Sequence, residues 1–132
     1  MLFSVIGNYS LVLGLFFGLV LFYYSAKNFR NSEVLDTKIL SFTFLQFFLV
    51  VISFLCLVLS FVVSDFSNET VFNNSHTTKP IFYKIAGTWG NHEGSLLLWL
   101  LVLTLFILIF LIRTKNQLVK YRVLTLVFQQ II

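Results

Sequence analysis

Apolar residues occur in three long runs along this chain, and polar residues are concentrated between the runs. The runs cover about 5–24, 39–63 and 96–112. A helix needs about 20 predominantly apolar residues to cross the hydrocarbon core of a bilayer, and each run is close to that length. None of them alternates polar with apolar positions as a transmembrane β-strand does. The pattern therefore predicts an all-α integral membrane protein with three transmembrane helices.

Two further features of the apolar pattern concern the ends of the chain. The stretch 123–132 is too short to span a membrane, so it predicts either an interfacial segment or the opening of a partial fourth helix. Lys27 and Arg30 follow the first run and do not precede it, which favours a retained membrane helix over a secretory signal. We interpret residues 1–132 as a single membrane domain.

Composition supports the membrane class, and membrane topology explains the basic residues better than a nucleic-acid partner does. The chain is 58% hydrophobic and only 11% charged, whereas soluble domains average roughly 25% charged residues. The net charge of +4 comes from basic residues that cluster after the first and third runs, at Lys27, Arg30, Lys38, Arg113, Lys115, Lys120 and Arg122. Basic loops mark the inner face of a membrane. The pattern therefore places the N-terminus and the middle loop 64–95 on the outer face.

The middle loop contains most of the polar residues that are candidates for function. Its segment Ala86-Gly-Thr-Trp-Gly-Asn-His-Glu-Gly-Ser95 lies directly before the third run. Six residues of this segment form the candidate surface: Trp89, Gly90, His92, Glu93, Gly94 and Ser95. Ser95 is the predicted N-cap of the third helix, and Glu93 suits the positive end of its dipole.

Two neighbouring features of the loop also predict local structure. Gly87, Gly90 and Gly94 indicate turns with positive φ or close contact with a partner. The segment 81–85, apolar apart from Lys84, predicts a short amphipathic piece on the membrane surface. In the first run, Gly14 and Gly18 form a small-xxx-small pair, which indicates either close helix contact or glycines without a packing role.

The residues themselves do not define a catalytic or metal site. His92 is open to several interpretations: a haem or metal ligand, a base, or a structural hydrogen-bonding group. No second His or Cys stands at ligand spacing, since His76 lies in the polar part of the loop. Cys56 lies alone inside an apolar run and is interpreted as a buried hydrophobic residue. We therefore predict neither a catalytic residue nor a metal ligand.

One segment resembles a known family. Tyr83-Lys-Ile-Ala-Gly-Thr-Trp-Gly-Asn-His-Glu-Gly-Ser-Leu-Leu-Leu-Trp99 resembles the early region of the CcmF family, the large membrane subunit of the haem lyase of cytochrome c maturation. The resemblance extends to Ile6-Gly-Asn8, Phe61-Val-Val-Ser-Asp-Phe66 and Asn73-Asn-Ser75. It identifies the chain as similar to an N-terminal fragment, and favours a split piece encoded in a mitochondrion.

The resemblance implies a role in cytochrome c assembly. The family's complex attaches haem to apocytochrome c on the outer face of the membrane. The implied partners are the remaining CcmF portion with its tryptophan-rich motif, CcmE-like and CcmH-like proteins, apocytochrome c and the lipid bilayer. Haem is expected at the level of the complex, with none assigned to this chain. The six-residue candidate surface would then form a haem-handling surface, in a non-catalytic fragment of the lyase.

The sequence also bears on the membrane in which the chain resides and on alternative functions. The 17 Phe residues suit either lipid-facing bulk or an AT-rich organelle genome. The predicted location is the mitochondrial inner membrane, with the bacterial plasma membrane as the alternative. The alternative function is a small structural accessory subunit of a respiratory membrane complex. A transporter or channel is disfavoured because no ionisable residue lies deep within the three runs.

Overall fold

The computed structural model describes residues 2–27, 36–114 and 119–131. These residues form helices and no strand. In chain order, the helices are α1 (Leu2–Lys27), α2 (Asp36–Val63), α3 (Glu69–Asn74), α4 (Ile81–Trp89), α5 (His92–Arg113) and α6 (Val119–Ile131). Three of them, α1, α2 and α5, are long and apolar enough to cross a membrane. The prediction of an all-α, multi-pass membrane protein with three transmembrane helices is confirmed.

The observed helices differ from the predicted runs at the start of α5 and within the loop 64–95. The helix predicted over 96–112 already begins at His92, because polar residues supply its cap and first turn. The loop predicted over 64–95 contains the two short helices α3 and α4. Arg30 and Lys115, which contributed to the predicted charge pattern, lie outside the described residues.

α1 and α2 pack closely through small residues. The buried positions of α1 are small or medium-sized, at Gly7, Ser10, Gly14, Gly18, Leu21 and Ser25. Small residues allow helix backbones to approach within a membrane, where dispersion contacts replace the hydrophobic effect as the driving force. Gly14 meets Leu49 and Val50 of α2. The interpretation of Gly14 and Gly18 as a close-contact pair is therefore confirmed.

The bundle buries several polar side chains and exposes many large aromatic ones. α2 buries Thr43, Gln46, Ser53 and Ser60, which are at most 6% exposed. Large apolar side chains face outward, including Phe16, Phe44, Phe48 and Phe106. A soluble helical bundle shows the reverse arrangement. The distribution is that of a protein whose solvent is lipid.

α6 packs against α1 and α5 within the bundle. Val123 and Leu126 join a buried cluster with Leu21, Ile39, Ile107 and Leu111. Arg122 is only 3% exposed, and its Nη2 donates to the Leu111 carbonyl at 2.7 Å near the end of α5. The prediction that Arg122 belongs to a basic loop was wrong, because α6 turns this side chain into the bundle. The apolar stretch predicted over 123–132 is therefore helical as far as the structure describes it, and it packs within the bundle.

Candidate functional site

The candidate surface forms a tight junction between α4 and α5. α4 ends at Trp89, and Gly90 follows in a right-handed helical conformation with φ −77°. The Gly90 N–H donates to the Ala86 carbonyl at 3.1 Å. None of the glycines in the described part of the chain has a positive φ. The prediction of left-handed turns at the loop glycines was wrong, since one helix passes almost directly into the next.

Asn91 joins the two helices through its side chain. Its Oδ1 accepts the Gly94 N–H at 2.7 Å, so Asn91 is the N-cap of α5. Its Nδ2 donates to the carbonyls of Gly87 at 2.8 Å and Thr88 at 3.1 Å, at the end of α4. One amide therefore satisfies carbonyls that end one helix and an N–H that begins the next. Sequence reasoning missed this role, although Asn is among the best N-cap residues.

Ser95 is not the N-cap. It lies inside the first turn of α5, and its hydroxyl donates to the His92 carbonyl at 2.8 Å. The assignment failed because helix α5 was expected to begin where the apolar run begins. Glu93 was correctly placed near the helix start, since it lies in the first turn of α5, where the helix dipole favours a carboxylate.

Gly94 is required at the junction for steric reasons. It is buried, and a Cβ at this position would overlap the carbonyl oxygen of Thr88. The end of α4 therefore lies against the first turn of α5 with no room for a side chain at Gly94. The other prediction for the loop glycines was close contact with a partner. Gly94 does make a close contact, and it is with the Thr88 backbone of the same chain.

The six predicted surface residues lie close together in the chain but differ in how far their side chains are exposed. Trp89 is 44% exposed, and His92 and Glu93 are exposed. Gly94 is buried and Ser95 is partly buried. Only the first three therefore present side chains to a ligand or partner. The remaining three shape the backbone.

Glu93 also borders a polar cleft that sequence reasoning did not predict. The cleft has a volume of about 360 Å³ and lies between α1, α2, α3 and the start of α5. Its polar lining includes Asn8, Ser53, Ser60, Asn68, Glu69 and Glu93. Asn8 belongs to the short Ile6-Gly-Asn8 segment of the resemblance, and Glu93 to the long one. The fold thus brings two distant parts of the resemblance to one cleft.

The described part of the chain contains no ready-made cluster of metal ligands. No group of three or more His, Cys, Asp or Glu residues in the described ranges is placed to hold a metal ion. His92 is exposed and does not line the cleft, and His76 is exposed elsewhere in the loop.

Lys84 ties α4 to the end of α2. Ser64 follows α2 with φ 59°, a left-handed conformation that is uncommon for residues other than glycine. Lys84 is only 9% exposed, and its Nζ donates to Ser64 Oγ at 2.7 Å. The predicted amphipathic piece is indeed helical, but its basic residue faces the protein. This bond holds α4 beside the end of α2, across the segment 64–80 that contains α3.

Comparison with known proteins identifies relatives over part of the chain. No protein-family model matches the chain, and no solved structure matches it. The chain is 57% identical over 61 residues to the cytochrome c-type biogenesis protein Ccl1 of Rhodobacter capsulatus, a match that covers 46% of this chain and 9% of that protein. It is 44% identical over 101 residues to CycK of Bradyrhizobium diazoefficiens, covering 76% and 15%. It is 51% identical over 63 residues to CcmF of Escherichia coli, covering 48% and 10%.

These matches test the resemblance predicted from the motif. All three relatives are named cytochrome c-type biogenesis proteins. Each is much longer than this chain, since the matched part spans no more than 15% of its length. The predicted resemblance is confirmed: this chain is similar to a short part of the CcmF-type cytochrome c-type biogenesis proteins.

Proposed function

We propose that this chain acts in cytochrome c maturation, as the N-terminal membrane part of a haem lyase subunit. It supports the transfer of haem and its covalent attachment to apocytochrome c. The observation that carries the proposal is the 57% identity over 61 residues to a protein named for cytochrome c-type biogenesis. The same kind of name recurs among the relatives that match 76% of this chain.

The geometry supports a positioning role for this chain. The α4–α5 junction is fixed by the Asn91 amide and by backbone contact at Gly94. A rigid junction holds exposed side chains in a defined place, which a binding surface requires. The side chains available to haem or a partner are Trp89, His92 and Glu93. Gly90, Gly94 and Ser95 act through the backbone that presents them.

The proposed orientation places this junction on the outer face of the membrane. Lys27 ends α1, Lys38 lies in the first turn of α2, and Arg113 ends α5. These three positions share one side of a bundle whose helices alternate in direction, and basic residues mark the inner side. The membrane is the mitochondrial inner membrane, with the bacterial plasma membrane as the alternative. The proposed partners are the remaining CcmF portion, CcmH-like and CcmE-like proteins, and apocytochrome c.

Deletion of the chain tests the proposal. Cells that lack it are expected to lose holocytochrome c, measured by haem-dependent peroxidase staining, and to regain it when the chain is restored. Assembly of the respiratory complexes is measured in parallel by native gel electrophoresis. If holocytochrome c is normal while one respiratory complex disappears, the chain is a structural accessory subunit and the proposal is wrong.

Single substitutions test the surface separately from the chain. His92→Ala and Glu93→Gln are expected to lower holocytochrome c while the abundance of the chain stays unchanged. His76→Ala is the matched control, because His76 is also exposed but lies outside the junction. If both junction variants behave as the control does, the surface has no direct role and the chain contributes only its packing.

A further inference from the structure

α4 presents its aromatic residues outward and its polar residues inward. Phe82 is 86% exposed, Tyr83 69% and Trp89 44%. Lys84 is 9% exposed and Thr88 is fully buried. A helix that covers a water-facing surface has the opposite arrangement, with its apolar side toward the protein. The outward side of α4 is therefore suited to an apolar medium.

The buried polar groups of α4 reinforce this conclusion. Lys84 Nζ donates to Ser64 Oγ at 2.7 Å, and Thr88 Oγ1 contacts the Lys84 carbonyl at 3.5 Å. A lysine beside water normally extends its ammonium group into the solvent. Here the ammonium group turns toward a single hydroxyl of the protein. This orientation is favourable where the outward direction offers no better hydration.

The position of α4 along the bundle indicates its depth. Lys84 meets Ser64 just beyond the end of α2, while Gly87 packs on the Phe61 ring, one turn earlier in α2. α4 therefore runs back alongside the last turn of a membrane-spanning helix. A membrane-spanning helix ends near the boundary between the hydrocarbon core and the headgroups. Aromatic rings are enriched at this boundary, since they are apolar with a polar edge.

We propose that α4 is an interfacial helix whose outward face contacts lipid at the boundary between headgroups and acyl chains. The occupant of this face is the bilayer. The first turns of α5, which follows α4, also expose large apolar side chains, with Leu96 57% and Trp99 69% exposed. This assignment goes beyond the proposed role in cytochrome c maturation. It adds a lipid contact for Trp89 at the edge of the junction, next to His92 and Glu93.

Fluorescence quenching tests the assignment directly. The chain contains two tryptophans, Trp89 and Trp99, so Trp99→Phe leaves Trp89 as the single emitter. The full chain is reconstituted into phosphatidylcholine vesicles containing lipids brominated either near the headgroup or near the chain end. We expect strong quenching by the bromine near the headgroup, weaker quenching by the bromine at the chain end, and little quenching by aqueous iodide.

The control reporter is placed in the polar part of the same loop. Thr77 is exposed between α3 and α4, so Thr77→Trp combined with Trp89→Phe and Trp99→Phe gives a single tryptophan that iodide should quench strongly. If iodide quenches Trp89 as strongly as this control, α4 faces water and the proposal is wrong. The proposal is also wrong if Trp89 is protected from iodide only after the remaining CcmF portion is reconstituted with the chain. In that case a protein covers the outward face of α4. Both outcomes leave the deletion test of holocytochrome c unaffected.

Discussion

Replacement of Asn91 by Ala removes the side chain that connects α4 to α5. The variant loses the N-cap acceptor for the Gly94 N–H and two donations to the carbonyls of Gly87 and Thr88. Loss of an N-cap costs about 0.5–2 kcal/mol, and each neutral hydrogen bond contributes about 0.5–1.5 kcal/mol. We therefore expect Asn91→Ala to lower the free energy of unfolding by about 1.5–5 kcal/mol.

A second variant separates the two roles of Asn91. Asn91→Ser keeps an acceptor at the N-cap but removes both donations to α4, so its expected loss is about 1–3 kcal/mol. The matched control is Asn73→Ala, since Asn73 is exposed on α3. It is expected to stay within about 0.5 kcal/mol of the native chain, as surface substitutions usually do.

The measurement is unfolding of the purified chain in mixed micelles with increasing sodium dodecyl sulfate, followed by far-UV circular dichroism. The expected order of stability is the native chain and Asn73→Ala, then Asn91→Ser, then Asn91→Ala. If Asn91→Ala unfolds at the same detergent fraction as the Asn73→Ala control, Asn91 neither caps α5 nor links it to α4. If Asn91→Ser and Asn91→Ala lose the same stability, the capping role is refuted while the link to α4 remains.

Two further predictions concern close contacts between helices. Gly94→Ala should lower the free energy of unfolding, because the added Cβ would overlap the Thr88 carbonyl. Overpacking typically costs about 1–3 kcal/mol, and the loss here should be at least that large. Gly87→Ala, whose Cβ would meet only ordinary contact distances, is the control; equal losses would refute the steric argument. In the same unfolding assay, Gln46→Leu should cost about 1–3 kcal/mol, because the Gln130 amide loses both of its reciprocal hydrogen bonds, at 3.1 and 3.2 Å. The double Gln46→Leu, Gln130→Leu variant should be more stable than Gln46→Leu alone. If its loss of unfolding free energy equals the sum of the losses of the two single variants, the two glutamines do not act as a pair.

The membrane helices could be predicted from the sequence because lipid imposes a simple requirement. A span must be long, apolar and helical to satisfy its own backbone, and residues 5–24 and 39–63 meet that requirement almost without interruption. The start of α5 was predicted too late because hydropathy does not detect a cap. Asn91, His92 and Glu93 are polar, yet they cap and begin the helix.

The inward orientation of charged residues could not be predicted from local sequence. Lys84 and Arg122 both lie beside apolar neighbours, and a lysine or arginine at such a place usually marks a hydrated loop. Each instead donates to a group outside its own helix: Lys84 to the Ser64 hydroxyl and Arg122 to the Leu111 carbonyl. Partners of this kind are set by how the helices pack, which a hydropathy pattern does not record. The cleft beside Glu93 was missed for the same reason, since Asn8 reaches it from the other end of the chain.

Polar contacts fix the position of α6, because apolar contacts cannot do so in lipid. Acyl chains are as apolar as leucine, so a helix gains little by exchanging lipid for an apolar neighbour. α6 forms a reciprocal amide pair between Gln130 and Gln46 of α2. Gly18 of α1 makes room for this pair, since a Cβ there would lie 2.8 Å from the Gln46 Nε2 and 2.9 Å from the Gln130 Oε1. Shifting α6 by one turn would leave both amides without partners in an apolar medium, a cost of about 1–3 kcal/mol for each. The register of α6 is therefore set by polar contacts: the Gln46–Gln130 pair that Gly18 accommodates, and the Arg122 bond to the Leu111 carbonyl. Its leucines and valines would tolerate several alternatives.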